Sequence, residues 1–304
     1  MELILATLRL ATPLIFASLG GVLCERAGIA TICLEGIMLV AAFAAGSTAV
    51  ISGSSEMALF IGVCSGCFLM GLHELLTQKA DADPVVSGMA INILALGLTP
   101  LLSKFFFDSA TNTPSLPPTT RLHPVPLPLL GDLPTVGILF KQSFLIYIAL
   151  LLPFVVHVLL KRSVLGRRIH SAGDGPEALS AAGVSVHRVR ALALWIGGWL
   201  TSLAGVYLVL DHTGQFLRDM TAGRGFIALA AVIFGRWQPI PVFLACLFFG
   251  FSEALQMVLQ NVSVGSKTIP LQWLQSIPYL VALAILIFSR KGNKEPRVFR
   301  RRPV

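Results

Sequence analysis

Charged residues are scarce in this sequence: they make up 12% of its 304 residues, while 55% are hydrophobic. Soluble domains carry about 25% charged residues, so this composition excludes an ordinary soluble protein. Stretches of about ten residues that alternate apolar and polar side chains are also missing, which excludes a membrane β-barrel. The apolar residues instead form runs of about twenty, long enough to cross a bilayer as helices. We therefore predict an all-α fold, a polytopic helical membrane protein.

The sequence also lacks the usual patterns of enzymes and metal sites. Cys64 and Cys67 form a C-x-x-C inside an apolar run without a second such pair, and small buried side chains are the simpler interpretation. His73 and Glu74 begin a zinc-protease pattern, but Thr77 stands where its second histidine belongs. There is no convergent set of acid, base and nucleophile. We therefore expect no enzyme activity, no metal and no cofactor in this chain.

The apolar runs predict about nine membrane segments within one transmembrane domain that covers residues 1–304. Four segments contain an internal proline: Pro13, Pro100, Pro153 and Pro278. Interrupted helices in membrane proteins usually line a cavity. The seventh segment has a clean apolar part of only nine residues, 226–234, which suits a half-helix that re-enters the membrane. The nine segments are roughly 4–23, 29–51, 57–77, 85–106, 142–160, 189–210, 221–236, 240–260 and 270–289.

The basic residues predict the orientation in the membrane. The net charge of +8 arises in loops, so nucleic-acid binding is not expected. Sixteen of the 23 Lys and Arg residues share one side if the loop 161–190 and the tail 290–304 are both cytoplasmic. The C-terminus is therefore predicted inside and the N-terminus outside, with the proline-rich loop 107–134 facing outward. No basic stretch precedes the first apolar run, so no cleavable signal peptide is expected.

One short polar stretch, GDGPEALSAAG at 173–183, stands out between two basic clusters. Pro176 suits the first position of a helix, and Gly175 or Asp174 suits the capping position before it. Glu177 favours the positive end of that helix, and Gly183 suits its stop. Such a helix has about seven residues and small exposed side chains. It is either a docking helix that lies in a groove of another protein or a simple surface connector.

Several blocks of the chain resemble one family of membrane permeases. The block LGRRIHSAGDGPEALSAAGV resembles the cytoplasmic coupling loop of ABC importer permeases, specifically the branched-chain amino acid and nucleoside (BMP-dependent) permease family. The N-terminal signature of the nucleoside branch is similar to ATPLIFASLGGVLCERAGIATICLEGIMLVAAFAA. Further family blocks resemble DPVVSGMAINILALGLT and DMTAGRGFIALAAVIFGRWQPI, the latter followed by LFFGFSEALQ. Together they cover most of the chain in the family's order, closest to the shorter of two paired permeases.

This resemblance implies a permease subunit of an ABC importer in the bacterial cytoplasmic membrane, which carries nucleosides or related small solutes. It implies three partners: ABC ATPase subunits that use ATP, a second and longer permease, and an extracytoplasmic solute-binding protein. It also implies a role in ATPase coupling for part of the polar stretch. Those residues are Gly173, Asp174, Gly175, Pro176, Glu177, Ala178, Ala181, Ala182 and Gly183. A stand-alone secondary transporter or channel, and an ABC permease for branched-chain amino acids or sugars, are the alternatives.

Polar residues inside apolar segments are the candidates for a translocation pathway, because an unpaired polar group costs a few kcal/mol at membrane depth. Glu35 either lines the pathway or makes a structural hydrogen bond to a neighbouring helix or to Arg26. Asn92 either faces the pathway or joins two helices. Glu253 is a pathway residue or pairs locally. Arg224, at the outer mouth of the seventh segment, is a gate, a structural pin or a contact for the binding protein.

Overall fold

The computed structural model describes residues 2–122, 124–126, 141–260, 263–264, 267–268 and 296. These residues form ten α-helices and two short antiparallel strand pairs, β1 (Pro124–Pro126) with β2 (Lys141–Ser143) and β3 (Ser263–Val264) with β4 (Lys267–Thr268). The helices are α1 (Glu2–Arg26), α2 (Leu34–Ser52), α3 (Ser55–Gln78), α4 (Pro84–Phe107), α5 (Phe144–Arg162), α6 (Val164–Asp174), α7 (Pro176–Ala181), α8 (Val186–Tyr207), α9 (Arg224–Phe234) and α10 (Pro239–Gln260).

Seven of the described helices are long and apolar enough to cross a membrane, which confirms the predicted polytopic helical fold. The eighth apolar helix, α9, has 11 residues and extends about 16 Å, too short for a crossing. The seventh predicted segment, 221–236, is therefore a half-helix. The ninth, 270–289, lies outside the described residues.

Helix α1 lies at the centre of the fold and packs against α8, α10, α9 and α5. From Leu10 to Arg26 every residue of this helix is buried. At the crossing with α8, a Cβ on Gly20 would lie 2.6 Å from the carbonyl oxygen of Gly197. Two glycines thus let these helices meet backbone to backbone, as small residues do in membrane bundles.

The prolines do not interrupt the helices as predicted, at least where the structure describes them. Pro13, Pro100 and Pro153 lie within the continuous helices α1, α4 and α5. Neighbouring helices and local adjustment satisfy the backbone that a proline frees in a membrane helix. Pro278 lies outside the described residues.

The breaks occur instead at two places without proline. The first is the non-helical segment 27–33 between α1 and α2, so the second helix begins five residues later than predicted. The second follows α8, where a π-helical turn (Leu208–Thr213) leads into a run of turns before α9. Irregular backbone in a membrane protein needs partners from the protein or from water.

The segment 27–33, which we call the α1–α2 link, has such partners. Arg190 Nε donates to the carbonyl of Ala27 at 3.1 Å. His73 Nε2 lies 3.2 Å from the carbonyl oxygen of Ala30. Asn92 of α4 donates through Nδ2 to the carbonyl of Ile32 at 3.0 Å. Three distant helices thus supply the hydrogen bonds that this link lacks internally.

A candidate translocation site at the start of α9

The carboxylate of Glu35 closes the N-terminal end of α9. It accepts hydrogen bonds from the backbone N–H of Gly223 at 2.8 Å and of Gly225 at 2.6 Å. The first N–H groups of a helix have no partner within it, and the helix dipole favours negative charge there. A Cβ on Gly225 would lie 2.5 Å from the backbone nitrogen of Glu35, so only glycine allows this approach. Of the two structural partners considered for Glu35, a neighbouring helix and Arg26, the carboxylate thus binds the backbone of a neighbouring helix.

Arg224 and Glu253 form an ion pair between α9 and α10. Arg224 Nη2 lies 2.5 Å from Glu253 Oε1, and Nη1 donates to the carbonyl of Met220 at 3.2 Å. Their side chains keep 14% and 27% of their surface exposed. Both residues were candidates from sequence, but as separate features. The structure joins them beside the two glycines that Glu35 binds.

Asn92, on α4, holds the backbone on both sides of Glu35. Its Oδ1 accepts the N–H of Gly36 at 2.8 Å, and its Nδ2 donates to the carbonyl of Ile32 at 3.0 Å. The amide therefore spans the last turn of the α1–α2 link and the first turn of α2. It joins backbone segments, which is the structural role considered for it. Glu35 lies between the two bonded positions, so Asn92 fixes where its carboxylate points.

A groove lies near this cluster at the π-helical turn. Its volume is about 340 Å³, and it is lined by Glu2, Leu5, Ala6, Arg9, Leu10, His212 and Met257. Arg9 Nε donates to Gln142 Oε1 at 3.0 Å, and the hydroxyl of Tyr207 donates to the carbonyl of Arg9 at 3.2 Å. His212 lines this groove, and it is close enough to both Arg9 and Arg224 for their positive charges to act on it.

This groove was not predicted from the sequence, although a signal was present. Asp211 and His212 are consecutive polar residues directly after the apolar run of α8, and Arg9 is an isolated charge in the first apolar run. The π-helical turn itself has no sequence pattern of its own. Such turns occur frequently at functional sites because they redirect side chains out of the helical register.

The polar stretch 173–183 folds as the predicted short helix. Pro176 is the first residue of α7, Gly175 precedes it at the capping position without a side-chain cap, and Gly183 follows its end with φ of +77°. Leu179 is buried and fixes the helix to the protein. Six small or acidic residues are exposed on and after this helix: Glu177, Ala178, Ser180, Ala181, Ala182 and Gly183.

His73 has a structural place. It is fully buried, with Nδ1 3.0 Å from the hydroxyl of Ser87 and Nε2 beside the carbonyl of Ala30. Both ring nitrogens therefore have partners within the fold. Among the residues that the structure describes, no three His, Cys, Asp or Glu side chains cluster as a metal site would require.

Comparison with known proteins places these features in a family. Residues 3–289 match the family described as the branched-chain amino acid transport system permease component, and the chain belongs to that family. It is thus a multi-pass membrane protein and a permease subunit of an ABC importer, as the sequence blocks indicated.

Three curated relatives are each 32% identical, and one of them is the putative glucose ABC transporter permease protein TsgC13 of Haloferax volcanii, aligned over 93% of this chain and 90% of the relative. A second is the guanosine ABC transporter permease protein NupQ of Bacillus subtilis, aligned over 92% of this chain and 89% of the relative. Another is the nucleoside ABC transporter permease protein NupC of Lactococcus lactis, over 94% and 92%. The fold is similar to a solved metal-chelate type ABC transporter in an inward-facing conformation. The TM-score is 0.51 at 16% identity, covering 95% of this chain and 85% of that one.

Proposed function

We propose that this permease carries nucleosides, and that the cluster at the start of α9 lies on their pathway. The cluster consists of Glu35, Arg224 and Glu253, with Asn92 holding Glu35 in place. Two of the relatives that share 32% identity with this chain are named for guanosine or nucleoside transport. The observation that carries the proposal is the Arg224–Glu253 ion pair, a charged pair kept partly accessible between two apolar helices.

Charged groups inside membrane segments are costly and usually mark a substrate or ion route. The three groups of this cluster do not contribute equally. Glu35 is only 4% exposed and is engaged by backbone, so it shapes the site rather than contacting solute. Arg224 and Glu253 retain exposed surface and offer donors and an acceptor. Ribose hydroxyls and the edge of a base are the matching groups on a nucleoside.

The groove beside His212 supplies an approach to that pair. Its volume of about 340 Å³ is in the range of small-molecule sites. Glu2, Arg9 and His212 provide polar groups in its lining, and Leu5 and Met257 provide apolar surface. A solute with one flat apolar face and a polar sugar suits such a lining. The proposed route runs from this groove to the Arg224–Glu253 pair.

The importer contains further subunits in this proposal. Separate ABC ATPase subunits dock on α7 and use ATP, so this chain has no ATPase site and no cofactor of its own. A second, longer permease completes the pathway, and an extracytoplasmic binding protein delivers the solute. The protein lies in the bacterial cytoplasmic membrane. Loop 161–190 and tail 290–304 are cytoplasmic, and loop 107–134 is external.

Reconstitution tests the function directly. The complete transporter, in proteoliposomes with ATP inside and binding protein outside, should accumulate radiolabelled guanosine, and a non-hydrolysable ATP analogue should abolish this uptake. Excess unlabelled adenosine or uridine should compete. Competition by leucine or glucose, without competition by nucleosides, would instead identify an amino acid or sugar permease. Uptake by this subunit alone, without ATP, would identify a secondary transporter or channel.

A further inference from the structure

Both ends of α9 are held by the same short part of the chain. At the N-terminal end, Glu35 binds the N–H groups of Gly223 and Gly225. At the C-terminal end, Arg26 Nε donates to the carbonyl of Trp237 at 2.9 Å and its Nη2 to that of Arg236 at 3.4 Å. A carboxylate at the positive end and a guanidinium at the negative end both stabilise the helix dipole.

The turn after α9 is held in an uncommon backbone conformation. Arg236 and Trp237 are consecutive non-glycine residues with φ of +53° and +54°. A left-handed conformation costs such residues about 1–2 kcal/mol each, and it persists only where surrounding contacts enforce it. Those contacts come from the end of α1. The indole Nε1 of Trp237 donates to Glu25 Oε2 at 2.5 Å, while Arg26 binds the carbonyl of the same residue.

The polar stretch 173–183, which we call the docking segment, is attached to this same end of α1. Gly173, in the last turn of α6, packs so tightly on the carbonyl oxygen of Arg26 that a Cβ would overlap it. Arg190 of α8 bridges the two segments, because it donates to the carbonyl of Ala27 and, through Nη2, to that of Ala172 at 3.3 Å. Helix α7 begins only three residues after Gly173.

We propose that Glu25, Arg26 and Trp237 form a coupling clamp, which transmits movement of the docked ATPase to the ion pair at the far end of α9. This inference rests on the proposed docking of α7. A displacement of α6 and α7 moves the end of α1 through Gly173 and Arg190. The clamp passes the displacement to the C-terminal end of α9, and the short helix carries it about 16 Å to Arg224.

The clamp also explains two sequence blocks that the pathway leaves without a role. The Glu-Arg-x-Gly turn at 25–28 supplies the carboxylate and the guanidinium. The Gly-Arg-Trp run at 235–237 supplies the turn that they hold. The three clamp residues are positioning residues, since they act on the pathway only through α9.

Trp237→Phe tests the clamp in the reconstituted complete transporter. The change keeps an aromatic ring but removes the N–H that Glu25 accepts. We expect an assembled complex with its ATPase bound and basal ATP hydrolysis retained. Stimulation of hydrolysis by loaded binding protein should fall about fivefold or more, and uptake should fall with it. Glu25→Gln and Arg26→Lys should likewise retain basal ATP hydrolysis while stimulated hydrolysis and uptake both fall.

Trp199→Phe on α8 is the matched control, because Trp199 is 47% exposed and is not part of the clamp. It should leave stimulation and uptake unchanged. Normal stimulated hydrolysis and uptake in all three clamp variants would overturn the clamp. So would losses that only follow a lower amount of assembled complex, which would indicate a packing role. Absence of nucleoside uptake by the unmodified transporter would count against the proposed function instead, and the two failures are therefore distinguishable.

Discussion

At the scale of single residues, the polar groups inside the bundle fall into two kinds. Asn92, His73 and Arg190 each contact a backbone carbonyl of the α1–α2 link, and each has a second hydrogen-bond partner outside the link. Arg224 and Glu253 engage each other and remain partly accessible. Glu35 belongs with the first kind by its contacts, although it adjoins the second. Of the residues named here, Arg224 and Glu253 are the two that the proposed function places against the solute.

Glu35→Gln should therefore change stability more than substrate choice. The amide keeps one acceptor oxygen, but its NH2 group faces an N–H donor, which leaves a buried N–H of α9 without a partner. Such a loss costs about 1–3 kcal/mol. We expect a lower apparent melting temperature of the purified complex and an unchanged order of competing nucleosides. A changed order at an unchanged melting temperature would show that Glu35 contacts the solute itself.

The Arg224–Glu253 pair should behave as a unit. Arg224→Gln alone leaves a partly buried carboxylate without its partner, and Glu253→Gln alone leaves the guanidinium, each at a cost of about 3 kcal/mol when burial is high. The double variant removes both charges and should be less destabilised than the sum of the single variants by about 0.5–3 kcal/mol. Melting temperatures of the four complexes measure this difference, and simple additivity would contradict a direct pairing.

At the scale of elements, the long helices could be predicted from sequence, whereas the extent of the break between the first two could not. A run of about twenty apolar residues is a local signal, so eight of nine predicted segments coincide with described helices. The α1–α2 link reads AGIATIC, as apolar as its neighbours and free of proline. It is non-helical because partners on α3, α4 and α8 satisfy its backbone, and those contacts are distant in sequence.

The same reasoning applies to the candidate site. Each of its residues was recognisable as a polar group in an apolar run. Their association depends on how α2, α9 and α10 pack, so the ion pair and the cap on α9 appear only in the structure. Helix α7 is different, because proline, capping position and glycine stop are all local signals. It is accordingly the element that the sequence predicts most closely.

Gly183→Val tests whether the left-handed conformation at the end of α7 is needed for association with the ATPase. With φ of +77°, Gly183 occupies a conformation in which a β-branched side chain is strained by roughly 1–2 kcal/mol. No atom lies within 4 Å of the added Cβ position, so strain rather than collision is the expected cause. We expect weaker association with the ATPase, measured by titration, and little change in the amount of permease in the membrane. Gly183→Asn, which tolerates this conformation better, should recover most of the loss.

At the scale of the whole molecule, the charge distribution and the position of α7 indicate the same orientation in the membrane. The basic loop and the basic tail lie on the ATPase side in the proposed arrangement. Large apolar side chains are exposed on α3 and α4, including Phe60, Phe68 and Phe105, as on surfaces covered by lipid or by a second subunit. The groove at His212 opens at the opposite end of α8 from the docking segment.

Cysteine labelling checks this orientation. In a cysteine-free background, Asn293→Cys in the basic tail should resist an impermeant thiol reagent in intact cells and react after permeabilisation. Thr119→Cys in the loop 107–134 should react in intact cells. Labelling of residue 293 from outside would reverse the orientation and remove α7 from the side of the ATPase.

The central claim is that α7 docks in a groove of an ATPase, and it is most directly tested by bulk at an exposed position of that helix. Ala181→Trp should wedge the surfaces apart, whereas Ala181→Ser should not, because overpacking at a close contact costs about 1–3 kcal/mol. The measurement is co-purification of the ATPase with the permease, together with ATP-driven guanosine uptake. Our account predicts that Ala181→Trp is inserted and stable yet loses both, while Ala181→Ser keeps both. ATPase binding and uptake at normal levels in Ala181→Trp would contradict it.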